Sequence, residues 1–289
     1  MMPLDPTGLM ALSIPTRNVA YADRDSLLYA LAAGMGAGGE AADLPFVWER
    51  GQGEQSQRVL PSMATMLAFD DSWLEAGKIA LPQVVHGALD LRFFHPLAPS
   101  GAALAETAII GLDDKGAGRG GLVFTETLLR QDGAVAASVL STMFVRGAGG
   151  FGGAVGQGVT AAGVPETAPD AQSRVATALN QALFFRLLGD RNPLHVDPRL
   201  AREVGFERPI LHGACTFAIA CAEVLRRFCG HDPARLTRFA ARFAGPLYPG
   251  ETLAFSFWRV AGGIAFRAAA AERAAPVLDN GFAGLAADA

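Results

Sequence analysis

The chain has 289 residues, enough for one large domain or two of ordinary size, and 51% hydrophobic against 18% charged residues supply a substantial core. A formal net charge of −4 gives no basic field for a nucleic acid, and no apolar run reaches the roughly 18 residues of a membrane span. A soluble globular protein with neither nucleic acid nor membrane as a partner is expected.

At the start of the chain, Met1 to Asn18 lacks a basic region followed by an apolar one, and Ala287-Asp288-Ala289 at the other end is not a peroxisomal address, so the expected compartment is cytoplasmic. The first half then carries the glycine-rich segments 34–39 and 116–121. Neither follows a parallel strand with a Lys-Ser/Thr signature, so neither reads as a phosphate loop. Next comes Val84-Val85-His86-Gly87, followed closely by Leu91-Arg92-Phe93-Phe94-His95-Pro96-Leu97. Strand-like runs 123–130 and 134–146 flank Gln131-Asp132-Gly133, a hairpin signature.

Residues 147–171 are rich in Gly, Ala and Pro, with almost no large apolar side chains, and read as a linker. The expected organisation is a repeat over 1–146, this linker, and a second repeat over 172–289. The second half opens with a predicted helix over 178–188, in which Leu179, Leu183 and Leu187 recur every four residues, Thr177 is the N-cap and Gly189 the stop. A second helix, 214–228, puts Phe217, Cys221, Val224, Leu225 and Phe228 on one face, with alanines permitting close approach to a curved sheet. Ile210-Leu211-His212-Gly213 and Ala241-Arg242-Phe243-Ala244-Gly245-Pro246-Leu247 echo the first half in order, and runs 252–260 and 264–271 flank Ala261-Gly262-Gly263. Each half therefore reads as a helix laid on an antiparallel sheet, an α+β duplication. Cys215, Cys221 and Cys229 have no metal-type spacing and read as reduced core thiols.

The chemistry concentrates between the two helices of the second half. Asp190 and His195 lie five positions apart across Asn192-Pro193, a segment that cannot continue a helix, so their side chains can converge on one small volume. Gly213 opens the second helix and can present an unpaired amide to negative charge on a substrate oxygen. Catalysis on a carbonyl compound follows. Where the second half has Gly189-Asp190-Arg191-Asn192-Pro193-Leu194-His195, the first has only Ala33-Gly34-Met35-Gly36-Ala37-Gly38-Gly39, without carboxylate or imidazole, so the first repeat is expected to be catalytically silent.

The stretch from Phe185 through Gly189-Asp190-Arg191-Asn192-Pro193-Leu194-His195-Val196-Asp197-Pro198, with Ala201, Gly205-Phe206, Pro209 and Ile210-Leu211-His212-Gly213, resembles the hydratase 2 motif of MaoC-like enoyl-CoA hydratases. Matches to the N-terminal half of two-domain hydratases, including Tyr21-Ala22-Asp23-Arg24-Asp25, Leu44-Pro45-Phe46 and Asp114-Lys115-Gly116, extend the resemblance over nearly the whole chain.

The resemblance implies a double hot-dog fold, two tandem repeats each wrapping an antiparallel sheet around a helix. It implies a (3R)-specific hydratase that converts trans-2-enoyl-CoA reversibly to (3R)-3-hydroxyacyl-CoA. Asp190 and His195 would hold the water and exchange its proton, and the Gly213 amide would face the thioester oxygen. No metal and no cofactor are implied, coenzyme A being part of the acyl-CoA substrate. Two-domain members lose part of the first repeat's central helix; here Leu81 to Leu91 leaves no helix-length interval after His86-Gly87, which favours medium, long or branched acyl chains.

Among the remaining residues, Asn192 is expected to shape the loop and Asp197 to anchor Pro198, both in supporting roles. His212 reads either as an imidazole held by backbone or as a substrate contact. Cys221 faces the substrate tunnel if its helix registers as in the family, and is otherwise a core thiol. Lys115 and Arg242 either touch the nucleotide or pantetheine of coenzyme A or are solvated surface. Phe185 stands where the family often has Tyr, and Ala88-Leu89 where related chains are often polar; both bear on substrate preference. The alternatives are a dehydratase of acyl-carrier-protein thioesters and a non-catalytic thioester-binding subunit. A duplicated hot-dog is either a pseudo-dimeric monomer or a homodimer of two such chains.

Overall fold

Strand-forming runs on both sides of the glycine-rich stretch join into one continuous sheet. The computed structural model describes residues 2–50, 52, 53, 56–157 and 163–287. In chain order the strands are β1 (Arg17–Tyr21), β2 (Val84–Phe93), β3 (Gly101–Asp114), β4 (Gly120–Gln131), β5 (Ala134–Arg146), β6 (Val155–Gly156), β7 (Ala171–Ala176), β8 (Leu236–Phe243), β9 (Thr252–Val260), β10 (Gly263–Ala270) and β11 (Ala275–Leu285). The helices are α1 (Pro6–Met10), α2 (Asp23–Ala32), α3 (Leu44–Val47), α4 (Ala64–Ala68), α5 (Ser72–Ala76), α6 (Gln181–Phe185), α7 (Pro198–Glu203) and α8 (Gly213–Phe228).

The strands run β1-β3-β4-β5-β2-β8-β11-β10-β9-β7, and β6 adds to β3. The order reads the same from either end when β2 is matched with β8, β5 with β11, β4 with β10, β3 with β9 and β1 with β7. The repeats meet at the antiparallel β2–β8 seam, where Asp90 pairs with Ala240. These two residues are themselves equivalent in the echo that aligns Leu91-Arg92-Phe93 with Ala241-Arg242-Phe243, so the seam lies on the axis relating the halves. Arg238 holds the Asp90 carboxylate with two hydrogen bonds of 2.8 and 2.6 Å across this seam. The expected double hot-dog is the architecture of the molecule.

Local turn chemistry sets the registers. Asp132 and Gly133 both have positive φ (49° and 80°), the twist that a two-residue hairpin between β4 and β5 requires. In the second repeat the turn is Ala261-Gly262, with Gly262 at φ 77°, and pairing resumes at Gly263.

The apolar spacing of 214–228 gives α8, whose residues Cys215 through Leu225 are all buried. Phe217 packs edge-on against Phe239 at 4.7 Å, and Phe228 against Phe257 at 5.1 Å. Among the described residues the first repeat has no helix of that length. Its sheet is covered by short α4, which packs on β3, β4 and β5, while the turn Pro61–Met63 just before α4 packs against α8. One core therefore spans both repeats, combining Tyr29, Met63 and Leu67 with Phe217, Phe239 and Phe255. A smaller cluster around Leu9, Trp73, Ile79 and Val145 closes the far side of the first repeat.

A second tie between the repeats is ionic. Asp43, 1% exposed, accepts from Arg226 at 3.1 and 2.7 Å, from His231 at 3.2 Å and from the Gly36 amide at 2.7 Å. These bonds hold its carboxyl below the ordinary carboxylate range against the opposing effect of burial. The glycine-rich 34–39 segment thus buttresses the C-terminal end of α8.

Two expectations differ from the structure. The helix predicted over 178–188 is only α6 followed by a tight 3-10 turn, Arg186–Leu188, and it starts after Asn180 rather than at a Thr177 cap. Thr177 instead donates to the Glu251 carbonyl at 2.7 Å and accepts from the Gly250 amide at 2.9 Å. The leucine stripe points outward, with Leu179, Leu183 and Leu187 at 82%, 49% and 52% exposure, because Ala182 and Phe185 form the face that turns inward beside α2. Second, the segment read as a linker is laid on the first repeat. Asp114 accepts from the Gly116, Gly150 and Gly152 amides at 2.8, 2.8 and 2.7 Å, and β6 pairs with Gly111 and Leu112 of β3. Linker residues 158–162 lie outside the described residues, as does the Asp288-Ala289 end.

Candidate active site

Gly189, at φ 130°, ends the turn after α6 and releases the chain into the Asp190–His195 loop. The loop is built by its own side chains. Asp190 Oδ1 accepts from the Asn192 amide at 3.1 Å, and Asn192 Oδ1 accepts from the Leu194 amide at 3.0 Å, starting a 3-10 turn over Pro193–His195. Asp197 caps α7 by accepting from Arg199 at 2.8 Å. Asn192 and Asp197 therefore bond to nearby backbone.

His195 is buried, and its Nδ1 lies 2.9 Å from the Ile210 carbonyl. A carbonyl only accepts, so Nδ1 carries the hydrogen and Nε2 presents a lone pair. That Nε2 stands 4.0 Å from Asp190 Oδ2, beyond a direct hydrogen bond and a distance that one water oxygen spans. Burial lowers the His195 pKa from its ordinary value, opposed by the Ile210 bond and by the Asp190 carboxylate. The imidazole is neutral at neutral pH and able to take a proton.

His212 forms the floor of the site. Its ring stacks on His195 at 3.6 Å between centroids and 26° between planes, its Nε2 donates to the Asp190 carbonyl at 3.2 Å, and Phe185 packs against it at 5.1 Å. It is 1% exposed, so its sequence role as a direct substrate contact gives way to one of support. Phe185 likewise is buried between His212 and Tyr29, a packing residue. Gly213 follows as the first residue of α8, and among the described residues its amide has no hydrogen-bond acceptor. A Cβ there would stand 3.3 Å from the Phe243 ring, so glycine keeps that amide approachable.

Three other candidates fall elsewhere. Cys221 is fully buried in the core of α8, where burial pushes its thiol up to about 12, so it is not a tunnel residue. Lys115 pairs with Asp113 at the β3–β4 turn, and Arg242 with Asp279 at 2.8 Å on the outer sheet. Among the described residues neither basic group contacts Asp190, His195 or His212.

Two groups were not singled out from sequence. His86 comes from β2 of the first repeat; its Nε2 is 2.8 Å from Ser141 Oγ, and its ring is 5.0 Å from Phe243. Desolvation drives His86 down to about 4, against a bond to the Ala88 backbone and the field of Asp190. Phe243, at the end of β8, stands between His86 and Gly213. The repeated His-Gly and Arg-Phe echoes contained both residues, but only folding across the seam brings them to this wall.

Among the described residues, two clusters bring ligand-type atoms within 4.8 Å of one another, Asp190/His195/His212 and Glu40/Asp43/His231. In the first the two imidazoles are stacked and His212 Nε2 is engaged by the Asp190 carbonyl, and in the second Asp43 is already paired with Arg226.

Residues 160–279 match the MaoC like domain and residues 19–147 the MFE-2 hydratase 2 N-terminal domain. The chain is 38% identical to a 3-hydroxyacyl-thioester dehydratase Y of Mycobacterium tuberculosis, over 97% of this chain and 98% of that protein. It is 33% identical to an enoyl-CoA hydratase of the same organism, over 96% of each. The crystal structure of a MaoC-like dehydratase from Phytophthora Capsici superposes with a TM-score of 0.88 at 30% identity, covering 99% of both chains.

Proposed function

Since the chain belongs to the MaoC-like hydratase family, in its two-repeat form, we propose that it adds water reversibly to trans-2-enoyl-CoA thioesters to give (3R)-3-hydroxyacyl-CoA. It is a hydro-lyase working with its own side chains, with coenzyme A as part of the substrate. The observation that carries this reading is the 4.0 Å gap between Asp190 Oδ2 and the lone-pair nitrogen of His195, beside the free amide of Gly213.

In the hydration direction a water held between Asp190 and His195 loses a proton to the pair as its oxygen bonds to C3. The electron pair of the C2–C3 double bond shifts toward the thioester, and a proton from the pair reaches C2. Negative charge that develops on the thioester oxygen is met by the Gly213 amide at the positive end of α8. Elements of one water are added, and nothing is oxidised or reduced. His86, supplied across the seam, and Phe243 at the end of β8 wall the side of the Gly213 amide.

Medium, long or branched acyl chains are the substrates we favour, because β2 takes the place of the central helix after His86-Gly87. A second reading, a dehydratase of carrier-protein thioesters, is favoured by the name of the M. tuberculosis relative, which specifies a thioester and not coenzyme A. Among the described residues no helix is long and apolar enough to cross a membrane. The cytoplasm is the compartment we assign, in keeping with three unpaired buried thiols. A homodimer is the assembly to test by sedimentation.

Loss of enoyl-thioester absorbance on trans-2-enoyl-CoA of several lengths, with product chirality, tests the reading. A (3R) product that disappears in folded Asp190→Asn and His195→Gln variants is expected. Turnover on carrier-bound substrates alone would move the assignment to the second reading, and turnover on neither would remove the enzyme assignment.

A further inference from the structure

We propose that His212 is the positioning residue of this site, one buried imidazole that holds Asp190 by its main chain and His195 by its ring face. The inference rests on the hydration reading for its catalytic meaning. Its geometry stands by itself.

His212 touches every working part. Its Nε2–H donates to the Asp190 carbonyl at 3.2 Å, its ring covers that of His195 at 3.6 Å, and its own peptide leads into Gly213. A displacement of His212 therefore moves the carboxylate, the base and the oxyanion amide together. Phe185 against the ring leaves it little freedom to turn.

A histidine placed only to fill space would have both ring nitrogens satisfied or would be an apolar ring. Here Nε2 is spent on Asp190, and Nδ1 is buried without a hydrogen-bond partner among the described residues. A buried polar atom left unmatched is uncommon and calls for an explanation. The explanation offered is that the orientation of the ring is fixed by the stack and by the Asp190 bond, at the expense of Nδ1.

The groups facing His212 are the His195 ring, the Asp190 loop and the Arg186 guanidinium. Burial first, then proximity to His195, drives His212 down to about 3, so it stays uncharged while the site works. A neutral neighbour 3.6 Å away tolerates the imidazolium that His195 becomes on taking a proton, whereas a charged one would repel it. The same cover keeps water from that face of His195.

Two substitutions separate the two contacts. His212→Phe keeps a ring on His195 and loses the donor to Asp190, and His212→Gln keeps a donor and loses the ring. The Phe variant is expected to lose roughly 10- to 100-fold in kcat, with KM within about threefold of the parent and the acid limb of kcat/KM unmoved. In the Gln variant the acid limb moves to higher pH, since a more hydrated His195 accepts a proton more readily.

Titration of the His195 ring nitrogens by 15N NMR reads the second effect without turnover, so failure to hydrate any thioester would sink the functional reading and leave this test standing. The proposal is overturned if His195 titrates as in the parent in the folded Gln variant and kcat is retained in the folded Phe variant. A rise confined to KM would overturn it as well, making His212 a substrate contact. If one variant does not fold, the other decides by its own readout.

Discussion

Two repeats of one fold meet at the β2–β8 seam, and the same His-Gly pair has become two different things in them. In the second repeat His212-Gly213 turns the chain into a helix of 16 residues; in the first, His86-Gly87 lies inside β2. Gly87 stands four residues before Leu91, whereas Gly213 stands 28 before its equivalent Ala241, and the longer interval holds the 16 residues of α8 and its connection to β8. Once the helix is gone, the glycine no longer heads a row of free amides. A Cβ on Gly87 would instead meet the Thr142 carbonyl of the neighbouring strand at 3.2 Å. The histidine survives as part of a wall, reaching Phe243 of the other repeat. The sheet alone can shape a surface, but among the described residues only the second repeat has the loop and long helix that bring together Asp190, His195 and the Gly213 amide.

Substitutions in the two repeats separate chemistry from wall. Asp190→Asn or His195→Gln should lower kcat by roughly 10²- to 10⁴-fold, while His86→Phe should act mainly on KM, by up to about tenfold. A collapse of kcat in folded His86→Phe, measured by steady-state kinetics, would make the first repeat a partner in catalysis. Phe217→Ala probes the helix that distinguishes the repeats. This ring is fully buried between α8 and Phe239, and its loss should cost about 3–5 kcal/mol in urea unfolding.

On the first repeat, Asp114→Asn tests the tie to the linker. Three glycine amides lower this carboxyl from 3.8 to about 2, so its ionised form stabilises the fold above pH 3.8 and that contribution disappears as pH falls through about 2. The variant should melt below the parent at neutral pH, with the difference narrowing between pH 4 and 2. The smallest effect is expected for Leu183→Gln and Leu187→Gln, each within about 0.5 kcal/mol, since these side chains are half exposed. A loss several times larger would show that another surface covers them.

The regular elements with strong local signals were legible before folding. The 3.6-residue spacing of Phe217, Cys221, Val224 and Phe228 predicts α8, and Asp132-Gly133 predicts its hairpin, because each signal is local and chemically specific. Asp190, His195 and Gly213 were legible through a motif, whose spacing the loop bonds of Asn192 explain. Leu179, Leu183 and Leu187 misled for a physical reason. Four-residue spacing marks one face of a helix, but a helix this short is oriented by whichever face finds a partner, and α2 took Ala182 and Phe185. The stacking of His212 on His195 depends on how the chain through α7 folds back, and the approach of His86 to Phe243 depends on the pairing of two repeats, neither of which a local spacing encodes.

Among the described residues the eleven-stranded sheet has two outer borders, and these end on short strands, β1 with five residues and β7 with six. On the first border β1 covers only Gly101 to Ala105 of the 14-residue β3, and β6 covers Gly111 and Leu112. Unpaired strand borders invite pairing between molecules, and short or covered ones discourage it. The small strand in the connecting segment therefore acts as a guard against self-association into fibrous aggregates, and a shortened connection would endanger solubility before it touched catalysis.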